Sequence, residues 1–323
     1  MLTLKETSAA QGYDALLNQL KSHPCRRIEQ ILLDMLPDDL NMDAPTRLSQ
    51  IDRMKTWLDS FRPLSPPILS ELKQRYDVQF TYNSNAIEGN TLTQSETELV
   101  LSKGITIGGK TLSEHLEVVG HKDAIDYIET LSQTEAAIGE WEVRQIHNLT
   151  VRKVSPTEAG QYRQLDVKAA GTEHVYPPHY LLPELMAAFI QWLDTAQTSL
   201  HPVDYAVEAH YRFVSIHPFR DGNGRTGRLL MNLLLLKAGF PIVTISNRRR
   251  QDYINAIALA QSSQDDLTAL LSFVYEATHE SLIETLSVIA SAADSRGKAP
   301  PFYRSVVAFL DEQEALQNPN NLS

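Results

Sequence analysis

Twelve consecutive residues, His217-Pro-Phe-Arg-Asp221-Gly-Asn223-Gly-Arg225-Thr-Gly-Arg228, separate two apolar stretches and constrain how the middle of this chain can fold. Upstream, Tyr205, Val207, Ala209, Phe213, Val214 and Ile216 recur at roughly helical spacing. Pro218 pushes the residue before it out of the helical region, so this helix is predicted to end near His217. Downstream, the leucine-rich run from Arg228 to Lys237 favours a helix, and Gly239 and Pro241 supply its stop signal. The pattern is therefore a helix–loop–helix whose glycine-rich loop opens onto a helix N-terminus.

Such a loop is suited to phosphate. Free amides and the positive end of the helix dipole point into it. Gly222 and Gly224 permit close approach, and Arg225 and Arg228, three apart, share one helical face from which each can fork onto phosphate oxygens. Asp221 is a hard oxygen ligand of the kind Mg²⁺ takes beside phosphates, and His217 titrates near neutrality, which suits a general base. Gly222, Gly224 and Gly227 also satisfy the dinucleotide fingerprint, but that pattern needs a preceding strand, and the flanks here read as helical. Each feature alone has an ordinary explanation: a structural histidine, a turn, a solvated arginine face. Their coincidence within twelve residues points to a nucleotide.

The segment HPFRDGNGRTGR resembles the signature of the Fic family, HPFx[D/E]GNGRxxR, at every defining position. The resemblance implies a mainly α fold, a helical bundle with a small β-hairpin flap over the active site, and transfer of AMP from ATP to a hydroxyl of a target protein. It implies that His217 deprotonates a Tyr, Thr or Ser hydroxyl and that Asp221 holds Mg²⁺ between the α- and β-phosphates. Gly222, Asn223, Gly224, Arg225 and Thr226 would form the phosphate cradle, with Arg228 reaching the γ-phosphate. A phosphotransferase branch of the family departs from this loop, and the intact Asn223-Gly224-Arg225 favours nucleotidyl transfer.

Three further segments extend the resemblance. Ser84-Asn-Ala-Ile-Glu88-Gly89 is similar to the family's inhibitory motif. Ser84 and Glu88 lie on one helical face, and Glu88 would occupy Arg228 and displace the γ-phosphate. This places the chain in the class with an N-terminal inhibitory helix; in some members the same glutamate helps remove AMP. Gly160-Gln-Tyr162-Arg163 through Tyr176-Pro177-Pro178 resembles the flap that holds the target in extended form, with Val167, Lys168, Ala169 and Ala170 near the nucleotide. Arg249, Arg250 and Tyr253 follow the main motif; Tyr253 either lines the adenine pocket, as in relatives, or packs between helices. Gln261 falls where some relatives carry Asn near the ribose, one carbon shorter.

Composition narrows the alternatives. The 323 residues are 42% hydrophobic and 21% charged, an ordinary globular balance with ample length for a core. The net charge, 29 − 40 = −11, argues against non-specific nucleic-acid binding. One cysteine, Cys25, excludes an intramolecular disulfide framework and fits a reducing cytoplasm. No run approaches the ~18 apolar residues of a membrane span, and the N-terminus lacks the basic region of a signal peptide, so no membrane partner is expected.

Prolines at 63, 66 and 67 suggest a helical extension over residues 1–67, a core over 68–295, and a short C-terminal helix and tail over 296–323. Further helices are predicted over Glu117 to Thr130, Trp141 to Val151 and Pro183 to Thr195. The 26 residues after Gly297 are too few for the winged-helix module that ends many relatives, so DNA is not an expected partner. ATP and an unknown target protein are, and relatives often form homodimers. Two rivals stay open: a non-catalytic regulator that senses nucleotide, and an enzyme that transfers another nucleotide or phosphate.

Overall fold

The computed structural model describes residues 44–168 and 174–291. The helices predicted before and after that range, and Ala169 and Ala170 of the expected flap, lie outside the described residues. Contacts divide the chain into two units, Gln74–Thr278 and the flanking Met1–Lys73 with His279–Ser323.

In the flanking unit, α1 (Ala44–Ser60) buries Ile51, Met54 and Leu58 at helical spacing. Pro66 and Pro67 open α2 (Pro66–Ile87), where their missing N–H groups are tolerated. The prolines thus begin a helix that continues past Lys73 into the larger unit.

The larger unit holds α3 (Gln94–Lys103), α4 (Leu112–Ser132), α5 (Glu140–Val151), α6 (Leu182–Ala196), α7 (Pro202–Ile216), α8 (Asn223–Lys237), α9 (Arg250–Ser262) and the start of α10 (Thr268–Ser291). The three helices predicted at Glu117, Trp141 and Pro183 are α4, α5 and α6. Local chemistry sets their ends. Thr93 and Glu96 form a capping box on α3, Thr111 and Glu114 one on α4, and Gly104 in the left-handed region stops α3. Helix α8 is the hub, packing against α7, α4 and α5. It buries Leu229, Leu230, Met231, Leu233 and Leu235 completely, which explains why so apolar a segment needs no membrane. No described helix is long and apolar enough to cross one.

Candidate active site

Helix α7 ends as its sequence predicts. His217 is its C-cap in the left-handed region (φ 52°, ψ 57°), and its N–H donates to the Phe213 carbonyl at 3.0 Å. The imidazole Nδ1 lies 3.3 Å from the Val214 carbonyl, which can only accept, so the proton sits on Nδ1 and Nε2 is left as the acceptor. The Tyr176 ring covers the imidazole at 4.1 Å between centroids. Burial pushes the imidazole down to about 4; the Val214 carbonyl opposes this and Arg163 adds to it. At neutral pH His217 is an uncharged base.

The loop that follows is held by its own side chains. Asn223 accepts the Phe219 N–H at 2.9 Å and returns its amide to the Phe219 carbonyl at 2.8 Å. Its side chain is buried and uses both its oxygen and its nitrogen within the loop, so it holds the loop's shape. His147 stacks face to face on Phe219 at 3.6 Å. It accepts the Gly160 N–H at 2.9 Å on Nδ1, so its Nε2–H donates to the Asp221 carbonyl at 3.0 Å. Gly222 is required twice over: its φ is 75°, and a Cβ would stand 2.8 Å from Val151 Cγ1. It begins α8 without a side-chain cap. The first-turn amides of Asn223, Gly224 and Arg225 therefore have no partner within the helix and face the loop as an anion site.

Thr226 belongs elsewhere. Its side chain is fully buried and its N–H donates to the Gly222 carbonyl at 2.9 Å, closing the first helical bond. The Asp221 side chain is 75% exposed and accepts the Gly222 N–H at 2.7 Å and an Arg225 N–H at 3.2 Å. Arg225 also faces Glu117 of α4 at 3.6 Å, and Asn90 donates to that carboxylate at 2.8 Å.

Arg228 is 1% exposed. Its Nε donates to Ser84 Oγ at 3.1 Å, and one terminal nitrogen donates to the Ser84 carbonyl at 2.7 Å and to Glu88 Oε1 at 2.8 Å. The Ser84 and Glu88 positions predicted to share a face thus meet one guanidinium. Gly224 makes room for this: a Cβ there would stand 2.2 Å from Glu88 Oε1. Two anchors hold the end of α2. Arg250 donates to the Ile87 carbonyl at 2.6 Å, and the Asn247 N–H donates to Asn83 Oδ1 at 2.8 Å.

Tyr253 takes the second of its two predicted roles. It is 1% exposed, its hydroxyl pairs with His210 Nε2 at 2.7 Å, and its ring lies 5.9 Å from the Arg228 guanidinium. It supports Arg228 from behind rather than lining an open pocket. Gln261 donates to Ser215 Oγ at 3.3 Å, two residues from His217.

The flap segment contains no strand among the described residues. Val167 is half-buried and Lys168 exposed. Pro177 and Pro178 have no N–H to give a ladder. The stem is closed instead by Arg163, which donates to the Pro177 carbonyl at 2.5 Å, and by Asp166, which accepts the His179 N–H at 2.9 Å.

The site is thus a helix–loop–helix with an imidazole at one end of the loop and an uncapped, arginine-flanked helix N-terminus at the other. Residues 137–235 match the Fic/DOC family. The protein adenylyltransferase Fic of Nematostella vectensis is 38% identical over 237 residues, 73% of this chain and 54% of its own. That of Drosophila mojavensis is 37% identical over 237 residues, with 73% and 46% covered. A Fic domain containing signaling protein from Bacteroides thetaiotaomicron shares the fold with a TM-score of 0.67 at 28% identity, over 75% of this chain and 97% of that one. Fic-1 from C. elegans gives 0.65 at 26% identity, over 87% and 94%. The chain carries a Fic/DOC domain and belongs to that family. It spans about half the length of the curated relatives it matches.

Proposed function

We propose that this chain transfers AMP from ATP to a Tyr, Thr or Ser hydroxyl of a target protein, releasing pyrophosphate, and that Glu88 holds the reaction in check. The arrangement that supports this most is the pairing of a neutral His217 beside an uncapped helix N-terminus with a buried Arg228 already engaged by Glu88. In this reading the acceptor hydroxyl gives its proton to His217 Nε2 as its oxygen attacks the α-phosphorus. The bond to pyrophosphate breaks, and the α8 amides and Arg225 stabilise charge on the phosphoryl oxygens.

Asp221 suits Mg²⁺: a single exposed carboxylate beside the phosphate cradle is the donor the ion takes when phosphates complete its shell. When bound, the ion would offset charge on the α- and β-phosphates. The flap loop would hold the target segment so that its hydroxyl meets His217. Assembly as a homodimer is carried by the resemblance to relatives, and residence in a reducing cytoplasm by the single cysteine.

A second reading concerns the reverse step. Glu88 is 38% exposed and makes its hydrogen bond through Oε1, leaving Oε2 to orient a water toward an AMP-modified hydroxyl. ATP labelled at the α-phosphate, set against ATP labelled at the γ-phosphate, tests the main reading. Label from the α position alone, competed by ATP and not by CTP, GTP or UTP, is the expected result. Label from the γ position would make the protein a phosphotransferase. No label with ATP still bound would favour a nucleotide-sensing regulator.

A further inference from the structure

Arg163 is 5% exposed, and among the described residues the carboxylate that faces its guanidinium is Asp166, at 3.8 Å and mostly in solvent. It is compensated by main-chain carbonyls instead. Nε donates to the His217 carbonyl at 2.9 Å, one terminal nitrogen to the Leu165 carbonyl at 3.0 Å, and the other to the Pro177 carbonyl at 2.5 Å. Its own N–H donates to the Pro218 carbonyl at 3.0 Å. Burying a charge on neutral acceptors is costly, so the arrangement calls for a reason beyond closing a loop.

The reason lies in what those carbonyls belong to. His217 is a non-glycine residue in the left-handed region, which persists only when its surroundings over-determine it. Pro177 follows Tyr176, whose ring covers the imidazole. Pro218, Pro177 and Pro178 have no N–H to give to main-chain pairing between the two segments. One planar fork joins them, and a lysine, with its donors at a single point, could not reach three divergent carbonyls.

We propose that Arg163 is the positioning residue of this site: it fixes the main chain of His217 and of Pro177 together, and so aims the imidazole, beneath Tyr176, at the acceptor hydroxyl. The proposal rests on the reading of His217 as the base. Arg163 touches no reacting atom and acts through His217.

The test uses the full chain carrying Glu88→Gly, alone and with Arg163→Gln or Arg163→Lys. Transfer of α-label gives kcat and the KM for ATP, thermal unfolding gives the folded fraction, and the imidazole NMR signal of His217, assigned by its loss in His217→Ala, gives its geometry. Arg163→Gln should lower kcat per folded molecule by about 100-fold, the scale of a reacting group displaced by an ångström, with the KM for ATP held within about threefold. The His217 signal should shift while that of His121, buried on α4 against Thr81, does not. Arg163→Lys should keep the charge and still lose at least about tenfold in kcat, because charge without the fork does not aim the ring.

An unchanged kcat per folded molecule, or a rise in KM in place of the fall in kcat, would overturn the proposal. If Arg163→Gln does not fold, Arg163→Lys decides by the same criteria. If the Glu88→Gly parent transfers no label, the functional reading fails by itself. The His217 signal then decides the positioning role, and a signal unmoved by either substitution sinks it.

Discussion

Arg225 and Arg228 stand one helical turn apart, both buried, and take different partners. Arg225 pairs with the exposed Asp221 carboxylate and, loosely, with Glu117, and its Nε has no partner. Arg228 is sealed beneath Ser84 and Glu88, with Tyr253 behind it. The same residue type on the same helix face is thus paired once by the loop's own Asp221 and once by Glu88 of α2, which in the proposed reading withholds it from phosphate. An ion pair at the edge of the cleft does this without distorting the loop: Glu88 is 38% exposed and can turn outward, while Arg228 keeps both bonds to Ser84. In the proposed reading, inhibition is occupancy of a guanidinium, not collapse of a site.

That contrast can be broken from several sides. The largest effect should come from outside it. In the Glu88→Gly background, His217→Ala should lower transfer by about 10²- to 10⁴-fold, the usual contribution of a general base, while ATP binding by calorimetry stays within a few-fold. Retained transfer would remove His217 as the base. Next comes Arg228→Ala, which should lower transfer by at least about tenfold, as expected for lost charged hydrogen bonds, and Glu88→Gly should not restore it. Restoration would mean that the two residues do not act as a pair.

Smaller and purely structural is Gly224→Ala. Its Cβ would displace the Glu88 carboxylate, the free end of a partly exposed side chain that can turn outward, so the native chain should lose no more than about 1 kcal/mol, the scale of the ion pair given up. Glu88→Gly should relieve much of that loss in denaturant unfolding. Equal losses in both backgrounds would place the clash elsewhere.

The gentlest perturbation at working pH is mild acid. Burial holds His217 and His147 down to about 4 and His210 to about 3, whereas the unfolded imidazoles titrate near 6.5. The unfolded chain therefore binds more protons between these values, and stability rises with pH across that window. It should be fully present above about 6.5 and decline as pH falls toward 4, with Tm dropping by roughly 2–4 °C for each kcal/mol lost. A Tm independent of pH over that range would contradict the buried neutral imidazoles.

The sequence exposes what is contiguous and conceals what is assembled. His217, the glycine loop and the two arginines are legible because twelve adjacent residues carry them and Pro218 fixes where α7 must stop. The Ser84 to Glu88 spacing is legible because one helical turn relates them. His147 and Glu117 are not, because they reach the site from separate helices, and no local pattern marks a histidine that wedges a loop across 74 residues. Arg163 sits within the flap motif, yet its three carbonyl partners become visible only when the chain folds. Asn223, Thr226 and Tyr253 show how residue type alone leaves a role open. Their polar side chains suggest ligand contacts, but the fold needs Asn223 to close the loop, buries Thr226, and pairs Tyr253 with His210. The strand pairing expected of the flap meets Pro177 and Pro178, which cannot donate to it.

The central claim, that Glu88 alone withholds an otherwise complete site, is tested most directly by transfer of α-phosphate label from ATP in the native chain and in Glu88→Gly, measured side by side with ATP affinity. Labelling should rise by about 10- to 100-fold in Glu88→Gly, the scale of a single coupling between two sites. Equal labelling of the two proteins, with ATP bound by both, would contradict that claim.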